Sequence, residues 1–251
     1  PNRNFAIDHG DCIEAIMVDD PRYHPENCFN DDGEKIPYPM KQIKDYVELL
    51  TPIKEKMIVI LDGNHPMKLW RFTNLTRYAC EELGVPYGTF VAKIVFKSRS
   101  NKVLFKSYHT HGFKSINSTA DDPQRRTVNM KLQLKRHLKH KMGDCILMCK
   151  GHTHRLLVCE PSRELFITDV NGKLKQDYTG LSGAYSGNYI HEDHRWYVNT
   201  GSFRKTYKIG IYSYAEVREY DPMEIGFAVA RIRDGMVVGV DEIKFGRKEN
   251  E

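Results

Sequence analysis

Residues 57–65 read Met57-Ile58-Val59-Ile60-Leu61-Asp62-Gly63-Asn64-His65. A short, continuous apolar run of this kind predicts a strand buried on both faces. The run stops at polar residues and a glycine, so the strand delivers Asn64 and His65 from its carboxyl end. Open α/β sheets place their sites at that end, and a glycine there permits the sharp turn that aims side chains into a crevice.

The same grammar recurs along the chain. A predicted strand at 4–8 runs into Gly10-Asp11, and predicted strands at 90–97 and 102–108 run into His109-Thr110-His111-Gly112. The apolar run at 145–149 leads into Gly151-His152-Thr153-His154. Helices fall between these strands. Met40, Ile43, Val47 and Leu50 have helical spacing over 40–50. A helix over 68–83 ends at Gly84 and Pro86. Another starts with Asp121 or Asp122 as cap and Pro123 in the first turn, and runs to about residue 142 with Met130, Leu134, Leu138 and Met142 on one face. Residues 21–39, rich in Pro, Asn, Asp and Gly, read as a loop. Strands are predicted at 155–159, 164–169, 196–199, 224–232 and 236–243. With βα units first and strands later, the pattern predicts α/β architecture, a layered sandwich in one domain over 1–251.

Composition sets the frame. At 251 residues, 40% hydrophobic and 28% charged, the chain reads as a globular protein with no apolar run near the ~18–20 residues that span a bilayer. No secretory signal is visible, and the six cysteines include no CxxC pair, so reduced thiols in the cytoplasm and no membrane partner are expected. The net charge of +5 suits an anionic substrate.

The residue types in the four motifs form a coherent donor set. Carboxylate, amide oxygen and imidazole suit divalent ions of the Mn, Fe, Zn or Mg kind, with little role for thiolate. In their order, Gly10-Asp11-Cys12-Ile13-Glu14, Gly63-Asn64-His65-Pro66, His111-Gly112 and Gly151-His152-Thr153-His154 resemble the motifs of the calcineurin-like metallophosphoesterases, in the wording of the small bacterial, archaeal and phage members. The resemblance covers about residues 4–205 and ends at Asn199-Thr200-Gly201-Ser202.

The resemblance implies a fold, an αββα sandwich of mixed sheets flanked by helices, and a set of roles. Asp11 would bridge two divalent metals, Mn2+ first with Fe, Zn, Mg or Ni as alternatives. Asn64, His111 and His152 would complete one metal site, and His154 would ligate the other. His65 would contact the scissile phosphate and protonate the leaving oxygen, an office suited to an imidazole because it titrates near neutral pH. The reaction implied is hydrolysis of a phosphomonoester or phosphodiester by a metal-activated water, as a phosphatase, phosphodiesterase or nuclease acting on a small phosphoester, a nucleotide or nucleic acid.

The sequence departs from that pattern in three places. The family's Asp-x-His, which precedes Gly-Asp on the first strand, is missing; Glu192-Asp193-His194 has a loosely similar spacing but lies late in the chain. Two explanations stand, a truncated form lacking the first strand and a natural variant with one intact metal site. The start at Pro1 and the immediate entry into a strand favour a longer native protein; if the chain is all there is, the His154 site is expected to be weak or empty. Pro66 replaces an acidic residue that would orient His65, and Glu14 replaces an aspartate. These departures keep a second reading open, a non-catalytic phosphate- or nucleic-acid-binding module with a degenerate metal site. His9 and His109 are candidates for a supporting or substrate role, and Lys68 and Arg71 for meeting a substrate phosphate. The basic helix over 125–141 reads either as a solvated face or as a phosphate-backbone surface. Tyr185, Tyr189 and Tyr197 read as strand residues or as base-stacking rings.

Overall fold

The apolar run at residue 57 becomes β2 (Met57–Ile60), which pairs in parallel with β1 (Ala6–Asp8). Ile60 and Leu61 are fully buried. This computed structural model describes residues 4–23, 38–179, 188–204, 207 and 214–246. Within them the chain is a mixed α/β protein.

A second, seven-stranded sheet contains β3 (Val91–Lys97), β4 (Val103–Thr110), β5 (Leu147–Lys150), β6 (Leu156–Cys159), β9 (Trp196–Ser202), β10 (Gly226–Arg233) and β11 (Met236–Lys244). Its order is β11-β10-β9-β5-β4-β3, with β6 also on β9. Strands β4, β5 and β9 are mutually parallel, and the remaining pairings are antiparallel. The carboxyl ends of β4 and β5 therefore share one direction and deliver His111 and His152 together, while parallel β1 and β2 deliver Asp11 and Asn64 from the smaller sheet.

Helices cover parts of this frame. On α1 (Tyr38–Leu50), Ile43 is fully buried in a cluster with Leu69, Leu75 and Ala79. Of the predicted helix over 68–83 only α3 (Leu75–Leu83) forms, and the short α2 (Asn64–Met67) precedes that range. Asn74 marks the late start: its side chain accepts from the Arg77 N–H at 2.8 Å as an N-cap, and its amide donates to Tyr87 and Asp62.

On α4 (Pro123–Leu138), Asp122 caps the first turn, accepting from Arg125 N–H at 2.6 Å. Met130, Leu134 and Leu138 are buried against Tyr108, Met148, Leu157 and Tyr197. Each such leucine contributes about 1.5–3 kcal/mol of burial. The helix ends before Met142, which is 44% exposed at φ 41° and does not share the buried face. The cause is the fully buried Arg195, whose Nη1 donates to the Lys139 carbonyl at 3.0 Å and satisfies the helix end there.

One further difference comes from local turn chemistry. Strand β8 (Lys173–Tyr178), absent from the sequence reading, pairs with β7 (Leu165–Val170) through Asn171-Gly172 at φ 54° and 75°. Asn-Gly is the preferred pair for such hairpin turns. The last helix is the short α5 (Tyr214–Val217). Most of the predicted 21–39 loop and Cys28 lie outside the described residues. Cys12, Cys80, Cys145, Cys149 and Cys159 are free thiols. Among the described residues no helix is long and apolar enough to cross a membrane.

Candidate metal centre

Strands β1 and β2 end in tight turns that press against each other. Gly10 sits at φ 90°, and a Cβ there would lie 2.3 Å from the Asp62 carbonyl oxygen. A Cβ at Gly63 would lie 2.1 Å from Asp11 Oδ1. Only glycine allows both approaches. Asp62, fully buried, locks the second turn by accepting from Gly63 N–H, Thr76 Oγ1, Tyr87 O–H and Asn74 Nδ2 at 2.7–3.2 Å. Its carboxylate is thus satisfied and serves the loop rather than a ligand.

Four predicted ligands converge above these turns. Asn64 Oδ1 lies 2.9 Å from His111 Nε2 and 2.8 Å from His152 Nδ1. Asp11 Oδ2 lies 3.2 Å from the same His111 nitrogen. Ligand atoms of Asp11, His111 and His152 all fall within 4.8 Å of one another, so this group could hold a metal ion. The His111 Nδ1 faces the His9 carbonyl oxygen at 2.7 Å. A carbonyl only accepts, so Nδ1 carries a proton, and whenever Nε2 is free of its own proton its lone pair points toward Asn64 Oδ1 and Asp11 Oδ2. Three acceptors facing one point are satisfied by a cation, and a backbone carbonyl fixing the far nitrogen is how metal-bound histidines are commonly oriented.

Backbone strain marks two of these residues and the neighbouring His154. Asp11, His152 and His154 adopt φ of 58°, 69° and 55°. Left-handed backbone costs a residue with a side chain about 1–2 kcal/mol, and such strain gathers at functional sites.

Electrostatics favour deprotonated ligands. Burial, then the nearby His111 and Lys150, lowers the His152 pKa to about 4. Burial, then Arg204, lowers His154 to about 4. For Asp11, burial acts to raise the carboxyl, but hydrogen bonding to His111 and the charges of His111 and His65 outweigh it, and the pKa falls below the usual carboxylate value. Behind the site, burial lowers the Lys150 ammonium to about 8.

His65 is placed beside the ligands. Its backbone N–H donates to Asp11 Oδ1 at 2.9 Å, and its Nδ1 lies 2.8 Å from the Glu14 carbonyl oxygen. The Glu14 carboxylate stands 3.4 Å from that nitrogen and pairs with Arg204 at 3.3 Å. Glu14 therefore orients His65 where Pro66, a buried residue of α2, has no carboxylate to offer. Sequence reasoning noted Glu14 only as a substitution; its spacing after Asp11 was the available signal.

Other predicted residues lie around this group. His154 is near Asp11, Glu14 and Arg204 but is not part of the converging set. His9 Nε2 meets His109 Nδ1 at 3.0 Å, and His109 Nε2 meets Ser107 Oγ at 2.7 Å, a buried chain behind His111. Together with Cys149, His9 and His109 form a second group of potential metal donors. Lys68 pairs with Asp20 at 2.7 Å, and Arg71 with Asp19 at 3.7 Å. Asp193 pairs with Lys135 of α4 and Glu192 with Lys139 just after it, so both carboxylates are engaged there and these two cations of the basic stretch face the protein. Tyr197 is buried, its hydroxyl donating to the Glu192 carbonyl, and Tyr189 lies under the Arg195 guanidinium. Tyr185 is outside the described residues.

No protein-family profile matches the chain, and no curated protein matches it.

Proposed function

We propose that the chain is a metal-dependent phosphoesterase of the calcineurin-like type, with its sheets and helices stacked as a layered αββα sandwich, hydrolysing a phosphomonoester or phosphodiester. The observation that carries this reading is the convergence of Asp11 Oδ2, Asn64 Oδ1, His111 Nε2 and His152 Nδ1, with His65 hydrogen-bonded to the same Asp11. An oxygen and imidazole donor set suits divalent ions of the Mn, Fe, Zn, Mg and Ni kind, of which the family resemblance puts Mn2+ first.

Asp11, Asn64, His111 and His152 would hold the ion, and His154 would serve a second one. A divalent ion held there supplies Lewis-acid activation of water and neutralises charge on the phosphoryl oxygens. The protein supplies the rest. Asp11 ties the His65 backbone to the ligand group, so the imidazole is carried at a fixed distance from the reacting phosphate. The Glu14 carbonyl holds the proton on His65 Nδ1, so the imidazolium form, with a second proton on Nε2, would be the one that gives that proton to the leaving oxygen and is left neutral. Protonation of the leaving group by a positioned histidine is worth about 10²–10⁴-fold.

The test is hydrolysis of bis-p-nitrophenyl phosphate and p-nitrophenyl phosphate with Mn2+ and with EDTA. Turnover should require Mn2+, fall to background in Asp11→Asn, and fall about 10²–10⁴-fold in His65→Ala. Mn2+ binding without turnover in the unaltered protein would sink the enzyme reading in favour of a phosphate- or nucleic-acid-binding module.

A further inference from the structure

Three aromatic rings from separate segments stand in a row beside the metal ligands. Trp70 follows α2, Phe90 precedes β3, and Phe113 comes two residues after His111. Trp70 and Phe90 centroids are 5.6 Å apart at 61°, and Phe90 and Phe113 are 5.5 Å apart at 34°. The inner end of the row touches the ligand histidines: Phe113 lies 5.9 Å from His152, and Phe90 lies 6.4 Å from His111. Packing accounts for the half-buried Phe90. It does not account for Trp70 at 43% and Phe113 at 55% exposure, large apolar faces left in water at the edge of a polar site.

Resting on the phosphoesterase reading, we infer that Trp70, Phe90 and Phe113 form a stacking platform that takes the base of a nucleotide whose phosphate lies at the metal centre. The substrates are then nucleobase-bearing phosphoesters. Neutral rings with open π faces recognise flat aromatic groups, and base–aromatic stacking is tolerant of base identity. The contact of Phe113 with His152 places the platform directly beside the ligand group, where the sugar of a nucleotide can bridge from phosphate to base. Two cations beside this row are paired, Lys68 with Asp20 and Arg71 with Asp19, while Lys114, next to Phe113, is exposed, so the rings supply the stacking and any charge comes from beside them. Of the tyrosines singled out in the sequence, Tyr197 does not fill this role, since it is buried.

Two readouts test the platform. The chain has two tryptophans, and Trp196 is buried at 8% exposure, so fluorescence quenching reports on Trp70. In EDTA, AMP and adenosine should quench it and ribose 5-phosphate should not, with the signal lost in Trp70→Phe. Phe113→Leu, which keeps bulk and removes a π face, should weaken AMP about tenfold. With Mn2+, the p-nitrophenyl ester of thymidine 5′-phosphate should be turned over at least about tenfold more efficiently than methyl p-nitrophenyl phosphate, and Phe113→Leu should collapse that preference. Equal kcat/KM for the two esters with no base-dependent quenching would overturn the platform while leaving the phosphoesterase intact. Turnover of neither ester would instead remove the phosphoesterase reading and the proposal that rests on it.

Discussion

His111 Nε2 faces Asn64 Oδ1 at 2.9 Å while its other nitrogen is committed to the His9 carbonyl at 2.7 Å. In a neutral ring that arrangement sets a lone pair against an amide oxygen, and it is relieved by a cation. Mn2+ should therefore stabilise the folded chain. At a hundredfold excess over its dissociation constant the gain is about 2.7 kcal/mol. Urea unfolding should show that gain in the unaltered protein and its loss in Asn64→Ala and His111→Ala; a gain that persists in both variants would place the ion elsewhere.

Gly63 and Gly84 make a paired experiment. A Cβ at Gly63 meets Asp11 Oδ1 at 2.1 Å, whereas at Gly84, at φ 69°, it meets nothing within 4 Å. Gly63→Ala should cost roughly 1–3 kcal/mol through overpacking and should also weaken Mn2+ binding, because it displaces a ligand. Gly84→Ala should cost about 1–2 kcal/mol through backbone strain alone and leave Mn2+ affinity unchanged. Chemical denaturation with and without Mn2+ separates the two.

Leu134 and Met142 test where α4 ends. Leu134 is fully buried, and Leu134→Ala should cost about 2–5 kcal/mol. Met142 is 44% exposed, so Met142→Ala should stay within about 0.5 kcal/mol. Comparable losses at both positions would restore the longer helix.

Asp144 gives the pH dependence a sign. Burial acts against its charge, but hydrogen bonds from Lys106 and Lys93 at 2.8 and 2.7 Å prevail, and its pKa drops from 3.8 to about 2. A carboxyl whose folded pKa is depressed contributes stability that is complete above its unfolded pKa near 4 and is lost as pH falls through about 2. The lysines are partly exposed, so screening limits the contribution to about 1 kcal/mol. Asp144→Asn should lose that amount at neutral pH, and the gap between it and the unaltered protein should close between pH 4 and pH 2. A gap that stays constant would assign the loss to something other than charge.

Most strands were legible because their signals are local. The runs at 57 and 145 are apolar without interruption, and glycines mark where they turn. The late start of α3 after Asn74 was not, because the residue's capping role depends on Asp62 and Tyr87 holding its amide. The end of α4 was hidden for a similar reason: Arg195, far along the chain, takes the Lys139 carbonyl. Strand β8 carries alternating lysines and no buried face, so only Asn171-Gly172 announced it.

At the candidate site, residue type and order drew attention to Asp11, Asn64, His111 and His152, since few other settings need a carboxylate, an amide and imidazoles after strand ends. What they do together was not legible. The proton on His111 is fixed by a carbonyl a hundred residues away, and the ring of His65 by the backbone of Glu14. Phe113 carries no motif at all, and its place beside His152 follows only from the meeting of β4 and β5.

The most direct measurement is a crystal structure grown with Mn2+ and read by anomalous scattering. The account predicts a peak bound by Asp11 Oδ2, Asn64 Oδ1, His111 Nε2 and His152 Nδ1. No peak there, or one confined to His9, His109 and Cys149, would contradict it.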